Sequence, residues 1–486
     1  MKLGKHIFGV GAMTGISRIF GFIRDMLIAR VLGAGRLSDI FLAAFKLPNL
    51  FRDLLGEGAL SAIFIPMYTD QKKDQSFARN VFSWLMVVLL GLTLVFEICM
   101  PIVIWILAPG FADDPGKMQL TVTVARIMFT YVIFVCGAAF LSAILNAFSK
   151  FFLAAFMPVL LNIMLIGALL IAPWIAHGAI IYVMAGTVVL SGIVQFGILW
   201  HRIRMRHFGL RLIRPRWTPA IRQMFRRFGI SIVGSGFYQI TIIVGTLVAS
   251  FQNGAVSWLY YADRIVQLPF AMIGLAVGTV LMSSISNALA DKNMRSVHIQ
   301  QNSSMRRSLM LIMPAVAGLV VLAEPMIKYL FEYGAWTPAS THAVAVAIMI
   351  QAWVLPAMLV SQIYSKTLYA AQDVQTPVRT SMISLAVAAV IYLALFPVAG
   401  YLAIPIGIVI SGYLKNALLG RAVRQRGLCH IDGRTIRAVL AFGGLAAALG
   451  VGLYFVPVTN IWILMLAIGG YGALYLPLAL LLDRKI

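Results

Sequence analysis

The chain has 486 residues, 61% of them hydrophobic and only 11% charged, with a mean hydropathy of +0.92. That balance excludes a soluble globular protein and implies a polytopic membrane protein. The net charge of +23 does not point to nucleic acid, because the basic residues fall mainly in short loops between apolar segments, where they set membrane topology.

Fourteen apolar segments are long enough to cross a bilayer, each needing about 20 residues. They lie near 7–33, 38–66, 80–107, 119–147, 153–173, 178–200, 229–251, 259–288, 307–331, 341–369, 378–396, 400–420, 437–456 and 460–482. The first resembles a signal peptide at its start, but Arg18 and Arg24 interrupt it, so a retained span is expected. Basic residues recur at every second loop: Lys2 and Lys5, Lys72 and Lys73, Lys150, the run from Arg202 to Arg227, Lys292 to Arg307, Arg421 to Arg437, then Arg484 and Lys485. Both termini are therefore expected in the cytoplasm. The opposite side offers little beyond Arg36, Lys117 and the pair Asp113-Asp114, read as a solvated turn.

The first two segments break the apolar rule. Ser17-Arg18 and Arg24-Asp25 lie inside the first; Asp39, Lys46, Arg52, Asp53 and Glu57 lie in the second. A central arginine costs about 2.5–3.5 kcal/mol to insert, so a chain that keeps several uses them. Asp39, Lys46 and Asp53 recur every seven residues and share one helix face, with Asn49 and Glu57 close to it. A bend near Gly21 is expected to bring Arg18 and Arg24 together. In segment 8, Asp263-Arg264 and Gln267 supply the matching polar group. The expectation is a cavity in which Arg18, Arg24, Arg52 and Arg264 receive an anion, while the acidic residues hold them in place. Guanidinium suits a diphosphate, which it reads in bidentate geometry at any relevant pH. Glu97 and Glu324 occupy corresponding places in segments 3 and 9, and their role stays open.

The loop His201 to Arg227 contains nine arginines with Phe208, Leu210 and Trp217 interleaved; it reads as a topology anchor that can also lie on an anionic leaflet. Across it the sequence repeats. Phe45-Lys46-Leu47-Pro48 is echoed by Val266-Gln267-Leu268-Pro269, Met100-Pro101-Ile102 by Glu324-Pro325-Met326, and Ala155-Phe156-Met157-Pro158 by Val374-Gln375-Thr376-Pro377, with offsets of 221, 224 and 219. The organisation expected is all-α: a six-helix bundle over 1–200, a basic linker over 201–228, a parallel-related six-helix bundle over 229–420, and a basic loop with two further helices over 421–486. No catalytic cluster appears. Cys99, Cys136 and Cys429 are scattered, the histidines show no ligand spacing, and no Walker sequence is present, so no metal, cofactor or ATPase is expected.

Several motifs carry a family resemblance: Ser17-Arg18-x-x-Gly21-Phe22-x-Arg24-Asp25, Asp39-x-Phe41, Phe45 to Leu50, Glu57-Gly58-Ala59, Ala108-Pro109-Gly110-Phe111, Val256 to Arg264, and Gln372-Asp373-x-x-Thr376-Pro377-Val378. Together they resemble the MurJ (MviN) family of lipid II flippases, in the multidrug/oligosaccharidyl-lipid/polysaccharide exporter superfamily. The resemblance implies transport of the lipid-linked peptidoglycan precursor across the bacterial inner membrane. It maps substrate-binding roles onto Arg18, Arg24, Arg52 and Arg264, with Asp39 as a further polar position, and a polyprenyl-tail groove onto the last two spans. Two departures are Asp53, where some relatives carry a second arginine, and Gln267, where some carry glutamate. The expected transporter is a monomer embedded in phospholipid, driven by the membrane potential with an unassigned coupling ion. The cell-wall synthesis machinery is a further candidate partner. Rival readings are a flippase for another polyprenyl-linked oligosaccharide, a drug or cation antiporter of the same superfamily, and a membrane enzyme acting on polyprenyl diphosphates.

Overall fold

A backbone inside a bilayer has to satisfy its own hydrogen bonds, and each long apolar run of this chain does so as helix. The computed structural model describes residues 2–54, 60–71, 74–148, 150–176, 178–205 and 208–485, and no strand occurs among them. The helices are α1 (Lys2–Leu32), α2 (Arg36–Phe51), α3 (Leu60–Asp70), α4 (Gln75–Leu107), α5 (Pro115–Phe129), α6 (Tyr131–Ala147), α7 (Phe152–Leu170), α8 (Ile180–Arg204) and α9 (Pro219–Ala249). Then follow α10 (Ala255–Ala290), α11 (Met294–Phe331), α12 (Pro338–Gln351), α13 (Val354–Ala370), α14 (Gln375–Ala399), α15 (Ala403–Gln425), α16 (Gly433–Tyr454) and α17 (Ile461–Lys485).

Among the described residues, eight helical stretches are long and apolar enough to cross a membrane, or nine if the bent pair α12–α13 counts as one. One of the eight, Gln375–Gln425, holds both α14 and α15, which turn at Gly400 (φ 56°) and pack on each other. The expected fourteen are thus not all recovered by length and composition. Glu57, Lys72 and Lys73 lie outside the described residues.

By the sequence offsets, α9 corresponds to α1, and α10 to α15 correspond to the elements from α2 to α8. Segment 119–147 appears as one apolar stretch, Pro115–Ala147, with the single residue Thr130 between α5 and α6, while segment 341–369 is bent by 42° across Ala352-Trp353 between α12 and α13.

The chain divides into two compact units, Met1–Val256 with Tyr333–Trp336, and Ser257–Glu332 with Thr337–Ile486. In the first, α1 packs on α7, α2 on α5, and α6 on α8, while α9 lies against α3 and α4. An aromatic core of Phe64, Tyr68, Phe77, Phe82 and Phe140 joins α3, α4 and α6. In the second unit α14 pairs with α15, and α16 and α17 pack on α11 through Phe442, Ala446, Tyr471 and Tyr475. The motif Gln372-Asp373-x-x-Thr376 forms the turn into α14. Gln372 takes a positive φ of 61°, Asp373 accepts from Thr376 N–H at 3.0 Å, and Arg426 pairs with Asp373.

Candidate functional site

Two arginines of the first unit, Arg24 and Arg52, each pair with the carboxylate next to them in sequence. Arg24 is 6% exposed. It donates from Nε (3.0 Å) and Nη2 (2.6 Å) to Oδ1 of Asp25, and from Nη1 (2.9 Å) to Oδ1 of Asn162 on α7. Asn162, the only polar side chain of α7, also donates from Nδ2 to the Ser17 carbonyl at 3.1 Å. Gly21 permits this close passage, since a Cβ there would stand 3.5 Å from Asn162 Nδ2. α1 runs unbroken through Gly21, so the glycine serves helix approach and not a break. Ser17 is half-buried and Arg18 exposed, on a different side of α1 from Arg24, as their six-residue spacing on a regular helix requires.

Arg52 follows α2 in a short stretch of wider π-type winding over residues 52–54, and pairs with Asp53 at 3.1 Å. An ion pair between adjacent residues cannot tie two helices together. Arg24–Asp25 and Arg52–Asp53 therefore offset charge locally, while the Arg24–Asn162 bond joins α1 to α7.

Asp39 joins α2 to α5. It is fully buried, and its Oδ2 accepts from Lys117 Nζ of α5 at 2.9 Å and from Gly254 N–H at 2.8 Å. Lys117 also donates to Asn253 Oδ1 at 3.0 Å and sits over the Phe111 ring, 4.0 Å from its centroid. Lys117, read from sequence as a loop charge, is thus an enclosed ammonium. Asp114 is also more than a solvated turn: it caps α5 through Lys117 N–H and accepts two hydrogen bonds from Arg36. The Arg36 bond first, and the Lys117 N–H with it, hold the Asp114 carboxyl below the usual carboxylate range. Further along the α2 stripe, Lys46 donates to Thr246 of α9, and Asn49 Oδ1 is buried with no hydrogen-bond partner among the described residues.

In the second unit Arg264 is exposed on α10 and donates from Nε (3.2 Å) and Nη2 (3.0 Å) to the Tyr260 hydroxyl, with its guanidinium 5.1 Å from that ring's centroid. The neighbouring Asp263 accepts from Gln267 and, at 3.1 Å, from Gln351 of α12. Glu97 is half-buried on α4, where Arg126 of α5 donates to its backbone carbonyl at 3.1 Å, and Glu324 is exposed on α11.

Sequence reasoning missed Asn162, Lys117, Tyr260 and Gln351. Asn162 was legible as a lone polar residue in an apolar helix, and Tyr260 as the residue one turn before Arg264. Among the described residues, no group of three or more His, Cys, Asp or Glu side chains could hold a metal ion.

The chain matches the family model "Lipid II flippase MurJ" over residues 28–471. A protein of Rhizobium meliloti named probable lipid II flippase MurJ is 37% identical, covering 92% of this chain and 86% of its own. The lipid II flippase MurJ of Burkholderia cenocepacia is 30% identical over 92% and 89%. Among solved structures, a lipid II flippase MurJ in an inward closed conformation superposes with a TM-score of 0.83 at 22% identity, covering 97% of both chains. An inward-facing multidrug resistance MATE family transporter of the MOP superfamily shares the fold at a TM-score of 0.67 and 16% identity, over 85% of this chain and 94% of that one. The span of the family match, together with relatives above 30% identity along most of both chains, makes this protein an integral membrane member of the MurJ lipid II flippase family.

Proposed function

We propose that this protein is a flippase for lipid II, moving the undecaprenyl-diphosphate-linked peptidoglycan precursor from the inner to the outer leaflet by alternating access. Arg18, Arg24, Arg52 and Arg264 bind the diphosphate, and Ser17 adds a hydroxyl beside the first of them. Asp25, Asp53, Asp263 and Gln267 hold the arginines or their neighbours, while Lys46, Asn49 and Glu57 complete the polar lining. Asp39, enclosed by Lys117, positions α2 in this arrangement. The observation that carries the reading is Arg24, a buried guanidinium whose counter-charge comes from its own neighbour on α1. Its charge is offset by Asp25 and its orientation is set by Asn162 of α7, which presents a permanent cation suited to an anion that comes and goes.

The protein works in the bacterial inner membrane with both termini in the cytoplasm. The repeated bundles 1–200 and 229–420 rock against the substrate, the linker 201–228 joins them, and 421–486 holds the polyprenyl tail. It acts as a monomer, with cell-wall synthesis enzymes as candidate partners. The membrane potential supplies the drive. Each charge crossing is worth about 2.3 kcal/mol per 100 mV, and a diphosphate carries about two.

The test is lipid II exposure at the outer leaflet in cells depleted of this protein and complemented with wild type, Arg24→Ala or Arg264→Ala. Wild type restores exposure and the inserted variants do not; variants that work normally would remove the arginines from the mechanism. Exposure that is independent of the protein favours the second reading, a flippase for another polyprenyl-linked oligosaccharide, because arginines recognise the diphosphate all such lipids share. Cations are disfavoured as cargo, since an arginine set repels them.

A further inference from the structure

The segment between α8 and α9 is doing more than joining two halves. Residues 201–228 contain nine arginines and no acidic residue. Residues 208–217 run as an irregular, non-helical arm pinned to α4. Asn80 bonds both backbone groups of Arg216, donating to its carbonyl at 2.8 Å and accepting from its N–H at 2.9 Å. Ser83 accepts from Ile213 N–H at 2.9 Å, and Arg79 donates to the Gly209 carbonyl at 2.6 Å. Phe208 and Leu210 are buried in the aromatic core of this unit, with the Phe208 ring against Tyr68 and Phe148.

Pinning the backbone fixes what the arm shows outward. Arg211, Arg214 and Arg216 are exposed, and so are Arg222, Arg226 and Arg227 on the first turns of α9. Between them stand Leu212, 64% exposed, and Trp217, 60% exposed, the latter packed edge-on against Trp84 of α4 at 5.1 Å. In water this face combines two disfavoured features, a crowd of like charges and exposed large apolar groups. At a bilayer surface both are satisfied, because phosphates meet the guanidiniums while leucine and tryptophan enter the head-group layer. The arm stands where spanning helices end: α8 finishes at Arg204, α9 starts at Pro219 and α4 starts at Gln75. Trp84, Trp217 and Phe225 cluster there like the aromatic belt of a membrane interface.

We propose that the arm 208–217 and the start of α9 form a rigid ledge that binds anionic phospholipid head groups, preferring phosphatidylglycerol or cardiolipin to zwitterionic lipid. Charge complementarity selects the anionic lipid. The exposed Leu212 and Trp217 select a membrane over an acidic protein.

The test is native mass spectrometry of the purified full chain, with phosphatidylglycerol and phosphatidylethanolamine offered at equal concentration. Wild type retains phosphatidylglycerol preferentially. Substituting Arg211→Gln, Arg214→Gln and Arg216→Gln together weakens that retention roughly a hundredfold, at roughly fivefold per surface charge. The corresponding Arg→Lys set retains the lipid. The double variant Asn80→Ala with Ser83→Ala, which keeps every arginine but unpins the arm, loses part of the preference. Equal retention of the two lipids by wild type, or an unchanged preference in the glutamine set, overturns the proposal. Neither result bears on the diphosphate site, whose arginines are untouched.

Discussion

Lys117 offers the sharpest test of how the first unit is held together. Lys117 is 1% exposed, and its ammonium lies 2.9 Å from Asp39 Oδ2, with Asn253 Oδ1 at 3.0 Å and the Phe111 ring as further partners. At that separation, and an effective dielectric of about 20, the attraction is about 6 kcal/mol before desolvation is subtracted. Removing one partner of a buried pair strands the other charge, which costs about 3–5 kcal/mol. Lys117→Met takes the ammonium away from Asp39, and Asp39→Asn takes the carboxylate away from the ammonium. Each single variant should lower the equilibrium unfolding free energy of the detergent-solubilised protein by about 3–5 kcal/mol. The double variant should cost clearly less than the sum, because neither charge is then stranded. A loss below about 1 kcal/mol for Lys117→Met, or strict additivity in the cycle, would refute the reasoning.

Other positions give independent checks. A Cβ on Gly110 would stand 2.4 Å from the backbone N of Phe251, so Gly110→Ala should destabilise the first unit, read as a lowered thermal midpoint; an unchanged midpoint would mean the Pro109–Asp113 turn does not rest on that backbone. Asn162→Ala removes the Arg24–Asn162 bond but leaves Arg24–Asp25, so flipping should fall without being abolished, as measured by outer-leaflet lipid II exposure. Because the Asp114 carboxyl titrates below its unfolded range, its contribution is present above pH ~4 and fades as pH falls through the lower folded value. The melting difference between wild type and Asp114→Asn should therefore hold steady from neutral pH to about pH 5 and vanish in stronger acid. A difference that grows on acidification would contradict the sign.

Much of the fold was legible because bilayer physics leaves few choices. Runs of about 20 apolar residues become helices, and the expected segment 80–107 appears as Gln75–Leu107. The bend at Ala352-Trp353 was not legible, since hydropathy is continuous across it and only packing sets where a helix turns aside. The arginines of the candidate site were legible as cost: a charge within an apolar run stands out whatever surrounds it. Their partners were not. Arg24 meets Asn162 across 138 residues and Asp39 meets Lys117 across 78, and no local pattern encodes either contact.

The sequence by itself determined that this is a many-helix membrane protein, because insertion energetics act on each segment independently of its neighbours. Tertiary structure alone decided what each charge is for. Periodicity put Asp39, Lys46 and Asp53 on one stripe, yet the fold sends Asp39 to a buried lysine, Lys46 to Thr246 and Asp53 to its own neighbour Arg52. Local periodicity fixes the direction in which a side chain leaves its helix; the helix packed opposite fixes the partner it finds there.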